Sequence, residues 1–210
     1  MQGSRGSKMS SNLEFEIPSW EQIYEMLIEL ADRIRRNGFE PDVIVGVSRG
    51  GWAPARVMSD LLENPELANV RAEFYLGVAE TKGEPVITQA VSTSVRGKRV
   101  LVMDDVADTG KSLRLVKTHL LDEGATDVKI ATIYYKPWSV LTPDYYKKKT
   151  KRWVIFPWER KETIRNILKK CEQQKKPIEE AKKKLVKSGL DRKLVERFIR
   201  EILEGKRKID

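Results

Sequence analysis

Residues 100–113 read VLVMDDVADTGKSL, and this stretch decides the fold. An apolar run from Val100 to Met103 leads into two adjacent carboxylates, Asp104 and Asp105. A third, Asp108, follows three residues on, and Thr109-Gly-Lys-Ser112 then opens a helical stretch. A strand that turns directly into a helix aims backbone N–H groups and the positive helix end outward. That suits a phosphate monoester, with the Thr109 and Ser112 hydroxyls as added donors. Acids at the C-terminal edge of the strand accept hydrogen bonds from vicinal sugar hydroxyls. Three carboxylates around one strand end are costly to collect without something to bind. Gly110-Lys-Ser112 also ends a P-loop signature, but that signature needs glycine at position 105, where this chain has Asp105, so the P-loop reading is rejected.

Working outward, the pattern alternates. Ser19 followed by Gln22 forms a capping box, and Ile23, Leu27, Leu30 and Ile34 recur at helical spacing until Gly38, which predicts a helix over 19–37. Val43 to Val47 is a continuous apolar run of the kind a doubly covered parallel strand has, and it ends in Ser48-Arg-Gly-Gly51 before a helical stretch reaching position 62. Further strands are expected over 72–78, 85–91, 99–103, 128–134 and 152–156, with a helix over 113–123 closed by Gly124. Strands alternating with helices predict an α/β fold with a mainly parallel twisted sheet flanked by helices.

The tail reads differently. Stretches 162–171, 178–186 and 192–203 each carry one apolar stripe at helical spacing, which predicts a small three-helix unit. The chain carries a formal net charge of +9 over 210 residues, and the excess is local: 22 basic residues face 22 acidic ones up to Glu159, against 18 and 9 from Arg160 on. The composition therefore divides a flexible start (1–12), a charge-balanced body (13–159) and a basic helical extension (160–210). The extension's lysines read as solvated helix faces rather than a nucleic-acid stripe, because no aromatic or glycine pattern interleaves them.

Composition excludes several classes. The longest apolar runs are too short to span a bilayer, and no apolar signal segment opens the chain, so a cytoplasmic protein without membrane partners is expected. With one cysteine (Cys171) and one histidine (His119), neither a disulfide framework nor a Cys/His zinc site is available within the chain. His119 is expected on the solvent side of its helix. Carboxylates, lysines and backbone groups must then carry the chemistry. Charged residues make up 34% while Asn and Gln number five each, a balance that leans toward a thermophile.

The stretch from Val102 to Ser112 resembles the phosphoribosyl pyrophosphate (PRPP) signature of the type I phosphoribosyltransferases. Val47-Ser-Arg-Gly-Gly51 is similar to that family's pyrophosphate loop, whose peptide at the position of Ser48–Arg49 is often cis. Lys136-Pro137 resembles the purine-contacting lysine of the 6-oxopurine branch. The run from Trp153 to Glu159 resembles the strand end where the base stacks and a terminal acid stands near the metal. The resemblance covers about residues 17–160.

It implies a Mg²⁺-dependent transfer of phosphoribose from PRPP to N9 of a purine base. By motif, Asp104 and Asp105 would hold the ribose hydroxyls and the metal's water shell. Ala107, Asp108, Thr109, Gly110, Lys111 and Ser112 would cradle the 5′-phosphate, and Asp108 would manage the proton at purine N7. Ser48, Arg49 and Gly50 would bind pyrophosphate. Trp153 would stack on the base, with the Val154 backbone at its edge, and Glu159 would stand where a second Mg²⁺ is ligated. A mobile lid is implied within 80–96, with Ser92 to Ser94 over the site, although a plain hairpin fits those residues equally.

A 6-oxopurine-type body with a basic helical C-terminal third is similar to the crenarchaeal adenine phosphoribosyltransferases, which makes adenine, giving AMP, the expected base. Lys136 pulls toward hypoxanthine, guanine or xanthine, since an ammonium donates hydrogen bonds and suits a C6 carbonyl. A PRPP-sensing regulator that binds nucleic acid is the alternative from another class. Partners are expected to be PRPP, the base and a second copy in a homodimer, not nucleic acid.

Overall fold

The computed structural model describes residues 14–64, 66–75 and 83–206. The expected flexible start over 1–12 and the first residues of the implied lid region lie outside these. Packing divides the chain into two units, one running from Glu21 to Lys151, the other joining the chain up to Trp20 with the chain from Arg152 onward. The charge balance changes after Glu159, whereas the packing division falls earlier, after Lys151.

The strands of the described residues are β1 (Phe15–Glu16), β2 (Val43–Ser48), β3 (Leu67–Tyr75), β4 (Glu84–Gln89), β5 (Arg99–Ala107), β6 (Asp127–Tyr135), β7 (Tyr145–Lys149) and β8 (Trp153–Val154). The helices are α1 (Trp20–Arg36), α2 (Trp52–Leu61), α3 (Lys111–Asp122), α4 (Arg160–Gln173), α5 (Ile178–Lys187) and α6 (Arg192–Lys206). Six strands form one sheet in the order β4-β3-β2-β5-β6-β7, parallel throughout except where β4 runs antiparallel to β3. This is the expected α/β architecture.

Strand β2 shows why. Val43, Val45 and Val47 join one buried cluster with Val100 and Val102 of β5 and with Leu113, Val116 and Leu120 of α3. Alternate residues of the same strands, Ile44, Leu101 and Met103, are also fully buried. A strand buried on both faces must be apolar at every position, which is what the continuous run predicts. Helix α1 contributes Ile23, Leu27, Leu30, Ala31 and Ile34, all buried on one stripe. Each of these leucines and isoleucines contributes about 1.5–3 kcal/mol on burial.

Several strand boundaries differ from expectation: β4 ends at Gln89 rather than 91, and the expected end of the 72–78 strand lies outside the described residues. Strand β3 starts at Leu67 rather than 72, because Leu67 to Arg71 pair with β2 while Arg71 to Tyr75 turn to β4. Strand β5 runs past Met103 to Ala107, since Asp104, Val106 and Ala107 pair with Thr132, Tyr134 and Tyr135 of β6. Residues 152–156 contribute only the two-residue β8, which pairs with β1 in a separate small sheet. Strand β7 was not foreseen at all. Its sequence YYKKK is polar on its exposed side, as suits the edge of a sheet.

In the second unit, the three C-terminal helices form as the apolar stripes predict. Ile164 and Leu168 of α4, Leu185 of α5 and Val195 and Ile202 of α6 are buried together with Ile155 and Leu190, and Phe15 and Ile17 pack against them. The core of the second unit is thus shared between these helices and residues that precede Arg160.

Candidate active site

The first unit assembles its candidate residues at the C-terminal ends of β2, β5 and β6, where parallel α/β sheets present ligand crevices. Asp104 and Asp105 are still within β5. Asp105 is buried, and Asp104 Oδ1 accepts the Asp105 backbone N–H at 2.9 Å. Desolvation, reinforced by the neighbouring Asp105 charge, pushes the Asp104 carboxyl well above the usual carboxylate range, with the Asp105 N–H acting the other way.

Beside them, β2 ends in a tight loop. The Ser48–Arg49 peptide is cis, as the family resemblance implies. Gly50 lies against the Asp105 carboxylate, and Gly51 N–H donates to Val47 C=O at 2.8 Å. The Ser48 hydroxyl faces Asn69 Nδ2 at 3.5 Å, and Asn69 N–H donates to Ser92 Oγ at 3.1 Å while Ser92 N–H donates to Asn69 C=O at 3.0 Å. Ser92 of the implied lid is therefore tied to β3.

The loop after β5 turns at Gly110, whose φ of +75° favours glycine. A Cβ there would also stand 2.8 Å from Leu141 N. Helix α3 then starts at Lys111, leaving the N–H groups of its first turn without intrahelical acceptors. Thr109 Oγ1 accepts one of them, from Lys111 at 3.4 Å. Lys111 Nζ pairs with Glu84 of β4. The loop amides, Thr109, Lys111 and Ser112, the donors expected for a phosphate, stand together at the start of α3, with the Lys111 ammonium engaged by Glu84.

The segment after β6 backs onto this loop. Lys136 N–H donates to Ala107 C=O at 3.0 Å and Val140 N–H to Thr109 C=O at 2.9 Å. Lys136 is only 6% exposed, and its Nζ lies 5.5 Å from the centroid of the Trp138 ring. The exposed Asp108 carboxylate accepts the Trp138 indole N–H at 3.0 Å. Tyr134, Tyr135 and Tyr145 are buried aromatics of this region, whereas Trp138 is half exposed, with its indole N–H on Asp108. His119, expected to face solvent, is half-buried on α3, where its Nε2 accepts the Val91 N–H at 3.4 Å.

Trp153, Val154 and Glu159 belong to the second unit. Trp153 is half exposed and Val154 buried. Trp153 and Ile155 donate their N–H groups to Glu14 and Glu16, so the intervening Val154 peptide groups turn away from β1. Glu159 Oε1 accepts the Phe156 N–H at 3.4 Å, closing the turn before α4, and Phe156 stacks on Trp158 at 4.9 Å.

The acid pair fits Mg²⁺. Two mutually repelling, desolvated carboxylates form an oxygen donor set that a hard cation relieves, and this ion keeps several waters beside one or two carboxylates and substrate phosphates. Among the described residues no group of three or more His, Cys, Asp or Glu side chains is placed to hold a metal. An ion at Asp104 and Asp105 would complete its shell with water and phosphate oxygens.

Comparison with known proteins bears on the family and the fold. Residues 16–163 match the family model described as the phosphoribosyl transferase domain. A xanthine-guanine phosphoribosyltransferase of Ruegeria sp. is 28% identical over 153 residues, covering 67% of this chain and 83% of that protein. One from Idiomarina loihiensis is 29% identical over 151 residues, covering 71% and 89%. Among solved structures, a purine phosphoribosyltransferase from Pyrococcus horikoshii is 38% identical with a TM-score of 0.62, covering 69% of this chain and 93% of that one. No helix of the described residues is long and apolar enough to cross a membrane.

Proposed function

The chain belongs to the phosphoribosyl transferase family, and on that premise we propose that it transfers phosphoribose from PRPP to N9 of a 6-oxopurine, releasing pyrophosphate. The observation that carries the choice of base is Lys136, an ammonium held 6% exposed beside the PRPP loop. An ammonium has three donors and no acceptor, so it complements a C6 carbonyl and not a C6 amino group. The names of the xanthine-guanine relatives support the same side. This replaces adenine, the base expected from the resemblance to the crenarchaeal enzymes.

The proposed roles follow the site. The amides of 107–112 with Thr109 and Ser112 bind the 5′-phosphate. Asp104 and Asp105 hold the ribose hydroxyls and would hold Mg²⁺, whose chemistry is to neutralise charge on the departing pyrophosphate. Ser48, Arg49 and Gly50 hold the pyrophosphate itself. As the C1′–O bond breaks through an oxocarbenium-like state, N9 attacks and Asp108 takes up charge and proton at N7. Such a reaction stabilises a leaving group more than it activates a nucleophile, which suits a site without Cys or His. The parts expected of Trp153 and Val154 at the base and of Glu159 at an ion rest on the family resemblance alone. Homodimerisation and a cytoplasmic location are proposed on the family resemblance.

The test is a panel of bases with PRPP and Mg²⁺. Hypoxanthine, guanine or xanthine should be consumed with kcat/KM at least about 100-fold above adenine. Rapid AMP formation from adenine with the 6-oxopurines left over would return the assignment to adenine.

A further inference from the structure

We propose that Trp138 is a positioning residue for the reaction, acting through Asp108. The inference rests on the catalytic role proposed for Asp108. The Trp138 indole N–H donates to Asp108 Oδ1 at 3.0 Å. Indole offers a donor and no acceptor, so this contact fixes one carboxylate oxygen and leaves Oδ2 for the base. The same ring lies 5.5 Å from Lys136 Nζ, so one side chain touches both the acid proposed for N7 and the cation proposed for C6.

Core packing does not account for this placement. Trp138 is 52% exposed, and a large aromatic at that exposure gains little from burial. What holds it is the segment beneath. Ser139 N–H donates to Lys136 C=O at 3.0 Å and Ser139 Oγ to Leu141 C=O at 2.8 Å. Val140 N–H closes onto Thr109 C=O, next to Asp108 in sequence. The segment carrying Trp138 and the loop carrying Asp108 are thus bonded on both sides of the indole contact. An exposed hydrogen bond of this kind adds little stability. Its consequence is directional, since a carboxylate on a loop otherwise rotates freely, and misplacing a reacting group is costly in rate.

The experiment compares kcat and KM of the wild type, Trp138→Phe, Asp108→Asn and the double variant, with the preferred purine, PRPP and Mg²⁺. Phenylalanine keeps an aromatic ring over the segment and removes only the N–H donor. Trp138→Phe should lower kcat about tenfold while the KM for PRPP stays within about twofold. In the Asp108→Asn background the same substitution should change kcat by less than about twofold, because the contact it removes no longer orients a carboxylate. Wild-type kcat in Trp138→Phe beside a slow Asp108→Asn overturns the inference alone, as does an equal loss in both backgrounds, which would mean that the ring only supports the segment. Wild-type kcat in Asp108→Asn overturns the role of Asp108 and with it the positioning role.

Discussion

Gly50 and Asp105 share one space. A Cβ built on Gly50 would stand 2.6 Å from the Asp105 carboxyl carbon, so the loop after β2 and the acid of β5 approach as closely as backbone permits. The loop proposed for pyrophosphate and the acid proposed for ribose are in this way locked to each other.

Gly50→Ala is therefore expected to displace either the loop or Asp105. The folded protein should lose about 100-fold in kcat/KM for PRPP, because a displacement near 1 Å at a reacting group costs that much. Steady-state kinetics with circular dichroism as the fold control measure it. Unchanged kcat/KM would mean that the contact does not constrain the site.

Asp104 gives a prediction about pH. Its carboxyl is raised in the folded state by desolvation and by Asp105. The sign follows by linkage: the contribution of a raised acid is fully present below its unfolded value near 3.8 and is lost as pH climbs through the folded value. Asp104→Asn removes that loss. Without Mg²⁺ the variant should melt a few degrees above wild type at neutral pH, with the gap closing toward pH 4, while activity falls about 100-fold. Mg²⁺ with PRPP should raise the Tm of wild type more than that of the variant. Equal melting temperatures at neutral pH would refute the strain at this pair.

Lys136→Met keeps the stem and removes the donors. Use of the preferred 6-oxopurine should fall by about 10²–10³ in kcat/KM, with PRPP binding retained. Isothermal titration with PRPP and kinetics with the base separate the two effects. A loss of PRPP affinity as large as the loss in base use would show that Lys136 serves the loop at Ala107 instead.

In the C-terminal unit, Glu201 lies between Lys161 of α4 and Arg197 of α6, and these two hydrogen bonds, that from Lys161 foremost, lower its carboxyl to about 2 from the ordinary 4.5. A lowered acid contributes stability above its unfolded value and loses it as pH falls through the folded one, here between about 4.5 and 2. Carboxyl NMR should record a midpoint near 2, moving up in Lys161→Met. A midpoint near 4.5 in the wild type would mean that the bridge does not persist in solution.

Much of this was legible in sequence. The stretch from Val100 to Leu113 announced a buried strand, a turn and a helix because each needs residues of a particular kind in immediate succession: apolar at every position, a glycine for a φ of +75°, and then helix formers. The stripes of α1 and of the three C-terminal helices were equally local signals. Strand β7 and the N-terminal half of β3 were not, since YYKKK and LANVR become strands only when β6 and β2 offer their peptide groups. The base proved ambiguous for the same reason: a lysine followed by proline carries a charge in sequence, but its burial is a property of the folded chain.

Sequence by itself thus determined the strand, turn and helix from Val100 to Leu113, the acids of β5, the parallel α/β class and the three C-terminal helices, all set by neighbours along the chain. Tertiary structure alone decided that β5 carries its acids inside the ladder, that Gly50 abuts Asp105, that His119 takes the Val91 N–H, and that Trp138 reaches Asp108. The last three join residues 28 to 55 positions apart. Such contacts exist only once strand order has brought the segments together, and no local periodicity records them.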